Sequence, residues 1–575
     1  MNIYRVNVSD GSITQEPVPE KYEKLGGRAL TSGIISDEVP AGCHPLGPHN
    51  KIVISIGLLT GTSAPCSGRI SIGTKSPLTN GIKESNVGGS TGTFMYQNGI
   101  KAIIIEGISN NENLKMLVID SSGIRFEDAA EYRGDGNYDL SEKLHDRFGE
   151  KAAILSIGPA GEQRLATACI QATDLDGNPS RAAGRGGSGA VLGSKGIKAI
   201  VSIPNPGAKP AYSDEETFRS ITKVFSKSLI EGKKGLTDYG TAAMVAAANK
   251  MDGMPTRNYS TGTFDRADKI SGEALRKEIL ERGGKPSRAC HPGCVIRCSN
   301  VFTDKDGNYI TSSLEYETMV LVGPNLDIGD LDSIARIDRA IDDIGLDSID
   351  TGVALGVAME MGMIEWGDTE GVLAILEEVK QGKIRGKLIG SGAAVVGKVL
   401  GAHRVPEVKG QSLVAYEPRT FKGMGCTFAT SPMGADHTAG PAIPGRIGLD
   451  PEKSFELTEA EGQPELSRDL QIMITVCDSM GYCFFVGPDI DNMKRTATLL
   501  NACYGWNLTY EDIIRLGSDT LKSEQAFNEA AGISKGENRL PEFFYDEKLP
   551  VSGRSFDVSR DELRDISYDL DYCVK

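Results

Sequence analysis

The chain has 575 residues, a net charge of −16 at pH 7, and 39% hydrophobic against 24% charged residues. It is too long for one core, so roughly two to four domains are expected, and so acidic a surface argues against nucleic acid or an anionic membrane as partner. No stretch approaches the ~18 apolar residues of a membrane span, the N-terminus does not resemble a secretory signal, and eleven cysteines fall short of a disulfide framework, so a reducing, cytoplasmic location is expected.

Residues 1–207 read mostly as β. Met1–Val8 alternates like a strand, and further strands are expected at 51–57, 69–73, 101–107, 115–120, 152–158 and 197–203, each bounded by Gly, Asn or Pro. Glycine is the compositional outlier, with 69 residues concentrated between these runs. Three glycine-rich segments also carry cations or hydroxyls: Gly26-Gly27-Arg28, Arg69–Pro77 leading into Ser85–Gly92, and Ser180–Lys195. Such segments cradle phosphate through backbone N–H groups and guanidinium forks, although a turn-rich β domain has similar composition. Neither longer segment fits a P-loop or a dinucleotide fingerprint.

Pro204–Gly207 reads as a linker. Ser213-Asp214-Glu215-Glu216 is expected to be a capping box, opening a helix with Phe218, Ile221, Phe225 and Leu229 on one face. Helices follow at 331–342, 348–361, 369–380, 467–478 and 510–531. The expected architecture is α+β: a β-rich base (1–207), then two mostly α-helical domains, 208–410 and 411–575.

Cys290-His291-Pro292-Gly293-Cys294-Val295-Ile296-Arg297-Cys298 places three thiols at four-residue spacing. With a distant fourth, Cys483, the set suits a [4Fe–4S] cluster, one thiolate per iron. A structural zinc site and plain buried thiols are the other readings of the cysteines alone. His291 would tune a cluster's potential by hydrogen bonding, or simply be exposed. Two segments mirror each other: Asp342-Asp343-Ile344-Gly345-Leu346-Asp347 and Asp478-Ser479-Met480-Gly481-Tyr482-Cys483. Each offers a carboxylate and an exposed backbone loop to an amino-substituted heterocycle. Each also fits an ordinary helix C-terminus with glycine in the left-handed region.

Taken together and in this order, the glycine-rich segments, the cysteine set and the doubled Asp-x-x-Gly motif resemble the aldehyde:ferredoxin oxidoreductase family over nearly the whole chain. The resemblance implies a β base carrying two pyranopterin dithiolenes, with tungsten or molybdenum between them and Mg²⁺ bridging their phosphates. It points to Arg28, Arg69, Lys75, Ser76, Asn86, Gly88, Gly89, Arg181, Ala182, Ala183, Gly184 and Arg185 in the base. It assigns Asp342, Leu346 and Asp347 to one pterin, and Asp478, Tyr482 and Cys483 to the other. It makes Cys290, Cys294, Cys298 and Cys483 the ligands of a [4Fe–4S] cluster; Cys43, Cys66, Cys169, Cys426, Cys477, Cys503 and Cys573 are left out. His437 matches the active-site histidine, and Glu315 or Glu317 the acidic residue near the metal. An imidazole suits proton transfer because its ordinary pKa is about 6.5.

The implied reaction is aldehyde plus water to carboxylate, or the reverse. Electrons would pass to ferredoxin or an iron–sulfur subunit, and a homodimer is compatible with the resemblance. The chain departs from the family in Tyr482, where leucine is usual, and in having three residues, not two, between its first two cluster cysteines. The second departure admits interconversion of a 2-hydroxy acid and a 2-oxo acid. A non-catalytic iron–sulfur or zinc protein is the reading from another class.

Overall fold

The structure is a computed structural model and describes residues 1–109 and 114–570. The N-terminal part is built from two six-stranded sheets. The first holds β1 (Asn2–Asn7), β2 (Ile13–Pro17), β3 (Ile52–Ile56), β4 (Ile70–Lys75), β5 (Ile82–Val87) and β6 (Ile100–Glu106), in the order β2-β1-β6-β3-β4-β5. The second holds β7 (Lys115–Asp120), β8 (Gly123–Asp128), β9 (Ala153–Ser156), β10 (Ile170–Ala172), β11 (Arg181–Ala183) and β12 (Ile197–Ser202), in the order β11-β10-β9-β12-β7-β8. Read from the other edge, the second order repeats the first strand for strand. The base is thus a topological duplicate of about 100 residues per copy, at a period the sequence does not display.

Alternation along the strands explains the layering. Ile52, Ile54 and Ile56 of β3 join Leu155 of β9 and Ile200 of β12 in one buried cluster shared by both sheets. The opposite face of the first sheet, with Val53 and Ile104, is covered by Leu30, Ile34 and Ile35 of helix Gly27–Glu38. The opposite face of the second, with Val118 and Ile154, is covered by Leu140 and Leu144 of helix Asn137–Phe148. Each expected strand run overlaps an observed strand. Neither helix is expected from the sequence.

The rest is mostly helical, and its apolar residues form one contiguous core running from Phe218 to Tyr568. The helix at Glu215–Gly232 is capped by Asp214, whose carboxylate accepts from Thr217 N at 3.0 Å. This corrects the expected capping box: Ser213 is instead tied through its N–H to Cys503 O. Helices Leu331–Ile344, Ser348–Glu360, Thr369–Lys380, Gln463–Met480 and Tyr510–Ala530 follow the expected runs. A three-stranded sheet of β13 (Lys285–Arg288), β14 (Ser299–Thr303) and β15 (Tyr309–Ser312) carries the cysteine loop between β13 and β14. Among the described residues, no helix is long and apolar enough to cross a membrane.

Candidate active site

Both Asp-x-x-Gly segments end helices, and residues of both also line a cavity. Helix Leu331–Ile344 stops at Gly345 (φ 78°) and helix Gln463–Met480 at Gly481 (φ 79°). Leu346 N–H donates back to Ile341 O at 3.1 Å, and Tyr482 N–H to Cys477 O at 3.0 Å. This is the Schellman closure that left-handed glycine permits. Each turn then docks on an equivalent place in the duplicated base. Gly481 O accepts from Arg69 N, just before β4, at 3.1 Å, and Gly345 O accepts from Cys169 N, just before β10, at 3.0 Å. Gly57, after β3, and Gly158, after β9, lie so near these turns that a Cβ on either would meet their backbone at under 3.0 Å.

Between the turns and the base lies a cavity of about 220 Å³. Of the expected cofactor residues, Arg28, Arg69, Asn86, Ala182, Gly184, Arg185, Asp342, Leu346, Asp347 and Asp478 line it. Asp342 accepts from Gln171 Nε2 at 3.0 Å, and Asp478 faces Arg28 at 3.5 Å. Burial pushes both carboxyls well above the carboxylate range, with Asp338 adding to Asp342 and Glu84 to Asp478. Asp347 accepts from Asp350 N at 2.8 Å, capping helix Ser348–Glu360, and from Arg185 N at 2.6 Å.

Four other expected residues hold loops instead of lining the cavity. Lys75 donates to Ala41 O, and Ser76 Oγ donates to Gly186 O at 2.7 Å. Gly89 N–H donates to Cys290 O at 2.9 Å, with Gly88 packed beside it. Ala183 is buried in the core shared by the two sheets, and Tyr482 is fully buried under Thr496.

The sequence gives no signal for several polar groups that complete the cavity. Lys83 and Glu84 sit on β5, a polar strand not expected from its pattern, and Gln171 on the short β10. Glu84 Oε1, Asn86 Nδ2, Gln171 Oε1 and Arg185 Nη1 are buried with no hydrogen-bond partner. Unpaired buried polar atoms are costly. Three of them, on Glu84, Asn86 and Arg185, line the one cavity and fit a ligand rich in donors and acceptors, as a pterin with its phosphate is.

Cys290, Cys294, Cys298 and Cys483 are all buried. Cys290 and Cys294 are hydrogen-bond neighbours, and Arg69 lies 4.0 Å from the Cys290 sulfur. Burial pushes the Cys483 thiol up to about 12. Thiols so disfavoured as lone thiolates suit coordination to a metal, which supplies the missing counter-charge.

Cys66, expected to stand apart, joins this group. Its side chain neighbours Cys294, its N–H donates to Gly293 O at 3.0 Å, and its carbonyl accepts from Cys483 N at 2.8 Å. His291 is fully buried, which corrects the expectation that it be exposed. Its Nδ1 lies 3.1 Å from the Cys290 sulfur, and Nε2 has no partner. Cys573 lies outside the described residues.

A second cavity, of about 450 Å³, adjoins the first and shares His437 with it. His437 Nε2 stands 3.7 Å from Glu317 Oε1 and Nδ1 3.9 Å from Asp436 Oδ1. Glu317 Oε2 accepts from Ala415 N at 2.6 Å, leaving Oε1 buried without a hydrogen bond. Burial holds the Glu317 carboxyl above its ordinary range. Glu315 is engaged elsewhere, accepting from Thr241 Oγ1 at 2.6 Å and facing Arg181 at 3.5 Å. Burial alone would raise Asp436, but Lys83, Arg185 and His437 hold it well below the carboxylate range. Tyr416 stacks on the His437 ring at 6.4 Å, and Phe484 meets its edge at 6.1 Å.

The aldehyde ferredoxin oxidoreductase family model matches the chain in two parts, its N-terminal domain over residues 3–203 and its domains 2 and 3 over residues 216–571. The tungsten-containing aldehyde ferredoxin oxidoreductase of Pyrococcus furiosus is 34% identical, the match covering 95% of this chain and 91% of that protein. The enzyme of the same name from Thermococcus kodakarensis is 33% identical over the same shares. The aliphatic sulfonate oxidoreductase WOR-like subunit of Pyrococcus furiosus is 26% identical, covering 78% of this chain and 75% of that one. Among solved structures, the active site complex BamBC of benzoyl coenzyme A reductase shares the fold, with a TM-score of 0.79 at 18% identity, covering 96% of this chain and 92% of that one. The chain is an oxidoreductase and belongs to the aldehyde ferredoxin oxidoreductase family.

Proposed function

We propose that the chain oxidises aldehydes to carboxylates, R–CHO + H₂O → R–COO⁻ + 3H⁺ + 2e⁻, or runs the reverse. The proposed cofactors are tungsten or molybdenum on two pyranopterin dithiolenes, Mg²⁺ between their phosphates, and a [4Fe–4S] cluster on Cys290, Cys294, Cys298 and Cys483. When bound, the metal would supply a two-electron sink and the cluster a one-electron path toward ferredoxin or an iron–sulfur partner. A cytoplasmic site of action is part of the same reading.

The observation that carries this reading is the adjacency of three features. They are the cavity with its unpaired polar atoms, the buried thiols, and the His437–Glu317 pair. Asp342 and Asp478 orient the pterins, and Arg185 and Arg28 balance charge beside them. In the adjoining cavity His437 Nε2 accepts a proton from the reacting oxygen as electrons leave the substrate. Glu317 stabilises the imidazolium so formed, and Tyr416 and Phe484 keep bulk water from the ring. Glu317 takes this role rather than Glu315 because its Oε1 is left unbonded beside the imidazole.

One observation favours a zinc site instead: ligand atoms of Cys290, His291 and Cys294 lie within 4.8 Å of one another. Elemental analysis of anaerobically purified protein, with a viologen-linked screen of aldehydes and 2-hydroxy acids, separates the readings. Iron with tungsten or molybdenum and aldehyde turnover supports the proposal. Zinc alone, without pterin, ends it, and turnover of 2-hydroxy acids alone changes the reaction.

A further inference from the structure

The larger cavity has a polar end at Glu317 and His437, an aromatic body of Tyr416, Phe484 and Phe485, and three of the proposed cluster thiols, Cys290, Cys298 and Cys483, in its wall. It also holds two cations, Lys233 and Arg446, that the proposed chemistry does not use. Among the described residues, neither side chain makes an ion pair or a hydrogen bond. The acid acting on both is Asp489. That carboxylate is already engaged as a helix cap, accepting from Asn492 N at 2.8 Å and from its side-chain amide at 2.6 Å. Burial, and then the neighbouring Arg446, hold the Lys233 ammonium below the lysine range. Burial likewise lowers Arg446. Asp489, and for Lys233 the Cys483 thiol, offset the partial desolvation of these like charges only in part; such a pair is costly, and an anion between them would offset more of that cost.

Tyr416 relates the two ends. Its ring stacks on His437, and it also feels the Arg446 charge. A planar guanidinium matches a carboxylate through paired N–H donors, and aromatic side chains suit a flat or short apolar body.

We infer that the cavity selects an aldehyde whose opposite end bears a carboxylate, held by Arg446 and Lys233 while the aldehyde faces His437. This inference rests on the aldehyde-oxidising reading. The remote carboxylate does not react, so the balance of the oxidation is unchanged.

The test compares 4-formylbenzoate with 4-methylbenzaldehyde, which has similar shape and no charge, in viologen-linked assays of the holoenzyme. The wild type should favour the anion about tenfold or more in kcat/KM, mainly through KM, because the contact is made equally in ground and transition states. Arg446→Met should collapse that ratio at least tenfold, Lys233→Met less so, and Arg446→Lys should restore part of it. A wild-type ratio near one overturns the inference, as does an Arg446→Met protein that loses both substrates equally. If neither aldehyde is oxidised, the aldehyde reading fails, and calorimetry with the holoenzyme still decides this one. 4-Methylbenzoate should bind at least tenfold tighter than the neutral 4-methylbenzamide, and Arg446→Met should erase most of the difference, Lys233→Met less of it. Equal binding of the two by the wild type overturns the inference.

Discussion

Gly57→Ala is the sharpest perturbation of how the helical part seats on the base. The new methyl would lie under 3.0 Å from the backbone of Met480 and Gly481. Backbone cannot swing aside as a flexible side chain can. The turn must therefore lift, opening Leu58 N→Ser479 O (3.2 Å) and Leu59 N→Met480 O (3.1 Å). Two hydrogen bonds at about 1 kcal/mol each, with about 1–3 kcal/mol of overpacking, give a loss of ~3–5 kcal/mol. For a cooperative unit of about 200 residues this lowers Tm by roughly 6–20 °C. Gly158→Ala should cost a similar amount, since its methyl meets the backbone of Ile344 at the equivalent turn. Gly42→Ala, with nothing within 4 Å, is the control. The assay is thermal unfolding by circular dichroism, with metal and pterin content measured on the same samples. A Gly57→Ala protein that melts within about 2 °C of wild type with full cofactor would refute the reasoning.

His437→Ala should retain its metals and lose about 10²–10⁴ in turnover, the usual worth of a positioned acid–base group. Glu317→Gln removes a charge 3.7 Å from the imidazole, an attraction of at most about 4 kcal/mol at an effective dielectric near 20. Its turnover should fall by up to ~10³, and normal dye-linked rates with full metal content in either variant would remove that residue's role. Asp342→Ala and Asp478→Ala should each lower bound pterin, because each strands donors in a buried site at about 1–3 kcal/mol; full pterin occupancy in both would leave the turns merely structural. Cys483→Ser should lower iron and turnover together, while Cys66→Ser and Cys503→Ser should keep four irons per chain; iron lost equally from Cys66→Ser would move a ligand to Cys66. Burial, with Asp350, raises the Asp347 carboxyl to about 6. Between pH 4 and 6 the folded form therefore holds a proton that the unfolded form releases, and this group costs stability as pH rises, by about 3 kcal/mol in all. Asp347→Asn lacks that loss, so denaturant titrations should find it closing on wild type across that window; a constant gap would count against the burial argument.

The helices were legible because their periodicity is local; Asp330 and Asp347, which cap two of them by accepting from the N–H three residues on, were not read as caps. The doubled Asp-x-x-Gly motif was legible because left-handed glycine leaves a fixed spacing. Part of the polar wall of the cavity was not. Glu84 and Lys83 lie on a strand of sequence IKESNV whose polar residues face a site rather than solvent, so alternation fails there. Glu524 grips Arg28 through two hydrogen bonds at 2.9 and 2.8 Å across almost the whole chain, a pairing no local pattern announces. The burial of His291 depends on Gly68 packing against its ring, a contact set by tertiary structure. Cys66 was passed over because its neighbours in sequence hold no other thiol.

The backbone of Cys66 has a consequence for how the protein matures. Its N–H holds the loop between Cys290 and Cys294, and its carbonyl holds Cys483. Three of the proposed cluster thiols belong to one loop; the fourth comes from a distant helix end, and the peptide joining them belongs to the β base. A chain translated only through the cysteine loop offers three thiols and an open corner. Four become available only when base, loop and the late helix have met. Iron insertion on this assignment is therefore a coincidence test of long-range assembly. Nascent or misdocked chains would hold iron loosely, and cluster retention would report completed folding.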